Sequence, residues 1–256
     1  MLLWSLNGLL LIALIVSSIH LLNIFSSYHK SEKAYQALNQ AVLATLSPAP
    51  AIQADDASPS PKSQVEVPVT INWTTLKAQN EEIVAWLYCE DTLINYPVTQ
   101  CDNNSYYLTH NASKYQDEAG SLFFDYRSAI GYDTTNLIIY GHRRNDRSMV
   151  GSLVKFSDQK YLNQHPIMFL LTPEQNYLVE LFACRTVHGT DKYFMTQFDD
   201  DAKFLSYVSK AIEQSYWSTQ VKIAAGDTIL TLATCSRYEG ADDARLLLHG
   251  KLTPID

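Results

Sequence analysis

From Leu2 to Phe25 the chain carries no Asp, Glu, Lys or Arg, and Leu and Ile dominate. A helix of that length rises roughly 36 Å, enough to cross the ~30 Å hydrocarbon core of a bilayer. The pattern then changes. In SSYHKSEKAYQALNQAVLATL, apolar Tyr35, Leu38, Val42 and Leu46 recur at helical spacing and predict a short second helix. SPAPAIQADDASPSPKSQVEVP follows, rich in Pro, Ala, Ser and Asp with few large apolar residues, the composition of an extended linker. From Val69 the texture is globular. A helix-like INWTTLKAQNEEIVAWL leads into LINYPVTQ, SLFFDYR, NLIIYGH, IMFLLT, NYLVELFACRTVH, DTILTLATC and RLLLHGKL. These runs are short and rich in β-branched or aromatic residues, and most are bounded by Gly, Asn, Asp or Pro, so they read as strands. Two stretches keep a helical pattern instead: SMVGSLVKFSDQKYLNQ, stopped before Pro166, and DDDAKFLSYVSKAIEQSYW, with an Asp-rich first turn and Phe204, Leu205, Val208 and Ile212 along one face. Many strands with few helices predict a closed or nearly closed β-barrel with helical insertions over 69–256. In front of it stand an anchor at 1–27 and a juxtamembrane helix and linker at 28–68.

Charge and cysteine content narrow the classes. The formal net charge of -8 excludes a general nucleic-acid binder, because no excess of Lys and Arg is present to neutralise phosphates. The four cysteines (Cys89, Cys101, Cys184, Cys235) form no CxxC pair, a spacing poor for zinc and for a dense disulfide framework. Cys89 and Cys101 flank a predicted hairpin, WLYCEDTLINYPVTQC, but with its turn near Asp91 only Cys89 lies close to the turn. All four are therefore expected to be free thiols, with no metal and no cofactor. The N-terminal run is too long for a signal-peptide core, has no basic residue before it and no small-x-small cleavage site after it. An uncleaved single-pass anchor is the reading. Lys30 and Lys33 follow the span, and the positive-inside rule would put them in the cytoplasm, against an external catalytic domain.

Cys235 closes the strand-like DTILTLATC where the polar SRYEGADD begins, so its thiol stands where a cleft forms, whereas Cys184 in LFAC reads as core. A nucleophilic cysteine needs a group that takes its proton and later protonates the leaving amine, work that suits histidine. His142 and His188 both follow long apolar strands. His142 is preferred because NLIIYG ends abruptly in Gly-His, while His188 opens a polar and aromatic loop. Arg245, ten residues after Cys235, begins RLLLHGKL, so a loop joins the two strand ends. A guanidinium there is able to donate to a developing oxyanion; taken alone, it reads more readily as a surface ion pair with Asp242 or Asp243.

TLATC followed by Arg245 resembles the TLxTC…R signature of sortases, and NLIIYGHRRNDRSMVGSL resembles their histidine segment. NSYYLTH, AGSLFFDYR, GSLVKFSDQKYLNQHP and the helix inserted after His188 look like the class B branch. The resemblance covers about residues 70 to 254. It implies an eight-stranded β-barrel with N-terminal helices, acting outside a Gram-positive cell. It also implies an enzyme that cuts a sorting signal at a Thr carbonyl, holds the protein as a thioacyl-enzyme and passes it to an amine of a cell-wall precursor or pilin subunit. By the same resemblance Cys235 is the nucleophile, His142 the general acid and Arg245 the oxyanion donor. Asn104, Leu108, Tyr193, Phe194 and Thr234 fall at substrate-binding positions. Ala233 and Ser236 depart from the class B pattern, where Ser and an acidic residue are common, which bears on the recognition motif.

Rival readings are a cysteine protease that delivers the acyl group to water, a cross-linking transpeptidase and a non-catalytic surface adhesin. Papain-like and amidase families place Cys before His, the reverse of this chain. Cross-linking transpeptidases place the pair far closer than the 93 positions between His142 and Cys235. An adhesin leaves the His, Cys and Arg coincidence unexplained.

Overall fold

The computed structural model describes residues 2–42, 67–128, 134–188, 193–234 and 244–255. Eight strands close into one barrel: β1 (Ile83–Tyr88), β2 (Asn95–Thr99), β3 (Leu122–Phe124), β4 (Asn136–Gly141), β5 (Ile167–Leu171), β6 (Asn176–His188), β7 (Thr228–Thr234) and β8 (Ala244–Ile255). Their order around the barrel is β1-β2-β3-β4-β7-β8-β6-β5. The neighbours β2–β3 and β4–β7 run parallel and the remaining pairs antiparallel. A parallel pair requires a crossover. Between β4 and β7 that crossover carries a 3-10 helix (Val150–Ser157), α3 (Gln159–Gln164), β5, β6 and α4 (Asp201–Glu213).

Alternation along the strands sorts the side chains. Leu137 and Ile139 of β4, Leu230 and Leu232 of β7, and Leu246 and Leu248 of β8 join Trp86 and Leu170 in the interior core. On the opposite face Phe182, Ala183 and Ile229 meet Phe204, Val208 and Ala211 of α4, so the amphipathic helix covers part of the barrel's outer wall. Ile138, Ala233, Leu247 and Val187 form a third apolar group on the outside, with Tyr140 and Tyr193 packed against it.

The long helix expected around residues 71–87 is two elements. A seven-residue helix α2 (Trp73–Gln79) stops at Asn80, whose backbone is extended. The Asn80 amide donates to Tyr107 Oη at 2.9 Å and to the Ala112 carbonyl at 2.8 Å. IVAWLY then runs as β1, paired on both sides. β-branched and aromatic residues that gain two strand partners prevail over the helical spacing. SMVGSLVKFSDQKYLNQ likewise divides, because the Asp158 carboxylate accepts from Lys160 N at 2.7 Å and restarts the chain as α3. The β1–β2 hairpin turns where expected, with Asp91 at φ 56°. Cys89, Cys101 and Cys184 are free thiols.

At the N-terminus one helix, α1 (Leu2–Val42), replaces the expected anchor followed by a second short helix. No helix breaker separates the two patterns, so the backbone continues through both. Its apolar residues between Leu10 and Phe25 are exposed, and the stretch Leu10–Gln40 is long and apolar enough by composition to cross a membrane. Beyond Phe25 the same helix docks on the barrel. Ser31 donates to Asp117 at 2.5 Å, and Tyr35 donates to the Gly120 carbonyl at 2.6 Å while meeting Tyr96 edge-on at 5.5 Å. The Arg144 guanidinium lies 3.9 Å from the Tyr28 ring centroid. Residues 43–66, most of the linker, lie outside the described residues.

A polar group buried beneath α4 gives a stability prediction. Asn136 Oδ1 accepts from Thr231 Oγ1 at 2.7 Å, so Thr231 Oγ1 in turn accepts from His249 Nδ1 at 2.9 Å. The other ring nitrogen of His249 faces Arg185 Nε at 3.4 Å and accepts from it only when the imidazole is neutral. Burial, and then the Arg185 charge, hold His249 well below the ordinary imidazole range. The unfolded chain protonates this residue near ~6.5, so below that pH the unfolded state binds a proton that the fold refuses. Stability should be intact above about pH 6.5 and fall below it with a slope approaching ~1.4 kcal/mol per pH unit. Urea unfolding of the detergent-solubilised chain at about pH 7 and about pH 5.5 checks this. His249→Gln should reduce the loss by about 1 kcal/mol; an identical loss in both proteins would show that His249 is not held neutral.

Candidate active site

The strand register lines up residues from three neighbouring strands on the barrel's outer face. Ile138 pairs with Thr231 and Thr231 with His249; one step further, Tyr140 pairs with Ala233 and Ala233 with Leu247. β4 and β7 are parallel and β8 runs against them. Carried one step further, the same alternation leads two residues forward from Tyr140 to His142, the residue after β4, and two residues back from Leu247 to Arg245 of β8. Thr234, the last described residue of β7, is paired with Gly141. Cys235 lies outside the described residues, as do Ser236, Asp242 and Asp243.

His142 is half-buried and held from two sides. A Cβ on the preceding Gly141 would meet Val150 Cγ1 at 3.0 Å, so the strand end packs closely on the chain that returns to it. Val150 N donates to the His142 carbonyl at 3.2 Å, closing the turn, and Met149 N donates to Tyr96 Oη at 3.1 Å. The ring Nε2 lies 2.7 Å from the Leu108 carbonyl oxygen, which only accepts, so Nε2 carries a proton. Leu108 is fixed in its turn by Gly120. At φ +62° that residue has a backbone shape suited to glycine, and a Cβ there would come within 2.5 Å of the Tyr107 carbonyl and 2.9 Å of the Leu108 carbonyl.

Arg245 is half-buried, pairs with Val187 of β6, and donates from Nη1 to its neighbour's carbonyl, Ala244 O, at 3.0 Å. Thr234 turns the other way: it is buried, and its Oγ1 accepts from Leu246 N at 3.0 Å, tying β7 to β8. Tyr193 packs on the outer row of Tyr140, Ala233 and Leu247 and meets Phe194 edge-on at 5.4 Å. Asn104 has both ends of its amide engaged, Nδ2 donating to Asp125 at 3.1 Å and Oδ1 accepting from Tyr126 N at 2.9 Å.

The sequence reading passed over Asp125, Arg127 and Tyr140. The Asp125 side chain is fully buried. It accepts from Arg127 Nε and Nη2, both at 2.8 Å, from Arg127 N at 2.9 Å and from the Tyr140 hydroxyl at 3.1 Å, besides Asn104. Burial pushes this carboxyl up, but the Arg127 hydrogen bonds and charge, with the Tyr140 hydroxyl, outweigh it and hold Asp125 below the ordinary carboxylate range. The signal was an acid placed directly after the buried run SLFF, two residues before an arginine.

Among the competing side chains, His188 ends β6 on the same rim, opposite Ala244 in the β6–β8 register, but is exposed there and not buried against it. His110 stacks on Tyr106 at 4.1 Å, and His249 is sealed beneath α4. Burial raises the Cys184 thiol pKa, and pushes that of Cys89 up to about 11, which leaves both almost without thiolate at neutral pH.

No family model matches the chain. It is 37% identical to sortase B of Listeria monocytogenes over 177 residues, 69% of this chain and 72% of that one. It is 26% identical to sortase B of Staphylococcus aureus over 181 residues, 71% and 74% of the two chains. The crystal structure of sortase B from B. anthracis in complex with AAEK1 superimposes with a TM-score of 0.73 at 33% identity, over 90% of this chain and 99% of that one. The S. aureus sortase B–substrate complex gives 0.68 at 26% identity, over 72% and 85%. With more than two thirds of a relative matched at 37% identity, on a barrel of the same architecture, the chain belongs to the class B sortases, which are cysteine transpeptidases.

Proposed function

We propose that this enzyme cleaves a C-terminal sorting-signal peptide through Cys235 and transfers the acyl group to an amine of a cell-wall precursor or a pilin subunit. The observation that carries the reading is the strand register: His142 and Arg245 continue the row Tyr140–Ala233–Leu247 on either side of β7, and Cys235 is the residue peptide-bonded to Thr234 at its end. The cysteine thiolate adds to the scissile carbonyl carbon, and the carbonyl oxygen takes the electron pair. Arg245 donates hydrogen bonds to that oxygen. As the C–N bond breaks, His142 protonates the departing amine and the carbonyl re-forms as a thioester. With Nε2–H given to Leu108, Nδ1 is the nitrogen through which the ring exchanges its proton. The acceptor amine then adds to the thioester carbon, loses a proton to the ring, and expels the cysteine thiolate. Asn104, Leu108, Tyr193 and Phe194 line the approach to this end of the barrel and bind the peptide; Thr234 acts through the strand end that carries Cys235. The single-pass anchor of α1 holds the domain at the outer face of the cell membrane.

Incubation with a sorting-signal peptide, with and without an added amine, tests the reading. Ligation that depends on the amine is the expected result. Hydrolysis alone would make the enzyme a protease, and inertness towards every peptide would leave a binding protein. The mass of the chain recovered from membranes separates a retained anchor from a cleaved leader.

His142→Ala should lower turnover by at least ~10²-fold, the usual cost of deleting an acid–base group. His188→Ala, altering an exposed side chain, should stay close to wild type. The opposite ranking in a steady-state assay would assign the proton transfer to His188.

A further inference from the structure

Asp125 ties four separate segments together. It sits just past the end of β3, and its carboxylate oxygens receive donors from the loop bearing Asn104, from Arg127, and from Tyr140 on β4. Arg127 extends the tie to a fourth segment by donating from Nη2 to the Phe194 carbonyl at 3.0 Å. Its guanidinium lies 5.9 Å from the ring centroids of both Tyr126 and Phe194. Gln100 Nε2 donates to the Asp125 carbonyl at 3.0 Å, so the backbone of the hub is fixed as well. The segment around Asn104 is thus tied to this buried carboxylate directly, and the segment around Tyr193 and Phe194 through Arg127. The third partner, Tyr140, stands on the outer face of β4 two residues before His142 in sequence.

We infer that Asp125 and Arg127 are positioning residues for the peptide groove, setting the Asn104 loop and the Tyr193–Phe194 segment at a fixed separation across the strand end that bears His142. This rests on the peptide-transfer reading above. Arg127 serves as a bidentate fork whose two-pronged grip on the carboxylate leaves an N–H aimed at the Phe194 carbonyl, a geometry that lysine cannot reproduce. The ion pair is not a surface pair of little consequence: one member is fully buried and accepts five hydrogen bonds, so removing its charge releases several groups at once.

Two variants of the full chain test this. Asp125→Asn keeps the size of the side chain and removes the charge. Arg127→Lys keeps the charge, removes the fork, and alters the more exposed member of the pair, a side chain that is 40% exposed. Both should raise KM for a sorting-signal peptide on the order of tenfold, with kcat within about threefold, the mark of lost ground-state positioning. The alkylation rate of Cys235 by iodoacetamide, read on the peptide that contains it, should equal wild type, because that reaction uses no groove. A second readout needs no turnover. Backbone amides of residues 104–108 and 193–198 should exchange faster with deuterium in both variants, and together. Unchanged KM in Arg127→Lys would overturn the proposal, as would unchanged exchange in either segment. A fall in kcat with slower alkylation would place Asp125 in the His142 machinery instead. If the wild-type chain turned over no peptide, the functional reading would fail while the exchange comparison still decided whether the hub sets these two segments.

Discussion

Cys235→Ala is expected to abolish both peptide cleavage and amine ligation while leaving the urea transition of the barrel nearly unchanged. The substitution deletes one sulfur from a position that follows β7 and adds no bulk. Loss of a covalent nucleophile costs roughly 10⁶-fold in turnover, since the remaining groups have no acyl carrier to act on. The internal control is Cys184→Ala. Cys184 is fully buried in the main core and its thiol pKa is raised by burial, so it contributes packing and no thiolate. Its removal should leave turnover at the wild-type level and cost about 1 kcal/mol through a small cavity. The two cysteine variants therefore separate along different axes, one in rate and the other in stability. A Cys235→Ala chain that ligated peptide like wild type would refute the nucleophile assignment whatever its stability.

The strands were legible in the sequence because each carries its own local signal. NLIIYGH, DTILTLATC and RLLLHGKL are bounded apolar runs, and the structure makes β4, β7 and β8 of them. The start of β1 was hidden because IVAWLY follows a true helix with no Gly or Pro between them; the break is made by Asn80, whose side chain finds Tyr107 and Ala112 only in the folded chain. α1 was misdivided for the converse reason. A change in composition from membrane-like to amphipathic does not interrupt a backbone, and the barrel that buries Tyr35 and Leu38 is distant in sequence. The same divide runs through the candidate site. His142 and Arg245 were visible as polar residues at strand ends. The Asp125 hub was not, because an acid after an apolar run carries no mark of the partners that Asn104 and Tyr140 supply from other segments.

Arg245→Lys is the sharper test of the last member of the trio, since it separates a catalytic donor from an ion pair in one rate. Arg245 is the second residue of β8, on the outer face two residues before Leu247, and it already gives one N–H to the Ala244 carbonyl. That bond holds one edge of the guanidinium along the strand and aims its planar fork. In the catalytic reading the fork supplies directed hydrogen bonds to an oxygen that becomes negative only during reaction. Lysine keeps the charge and loses the geometry, so binding of the peptide should survive while turnover falls. Removal of one oxyanion donor costs ~10²–10³-fold, about 3–4 kcal/mol of transition-state stabilisation. In the ion-pair reading, lysine would serve beside Asp242 or Asp243 as well as arginine does, since an exposed pair contributes at most ~1 kcal/mol. The two readings differ by orders of magnitude in kcat and hardly at all in KM. The Arg127→Lys variant has the opposite profile, with KM raised and kcat held, so the pair also distinguishes an arginine that meets the reacting oxygen from one that shapes the groove. Wild-type turnover in Arg245→Lys would remove Arg245 from the chemistry and leave the acyl transfer to Cys235 and His142.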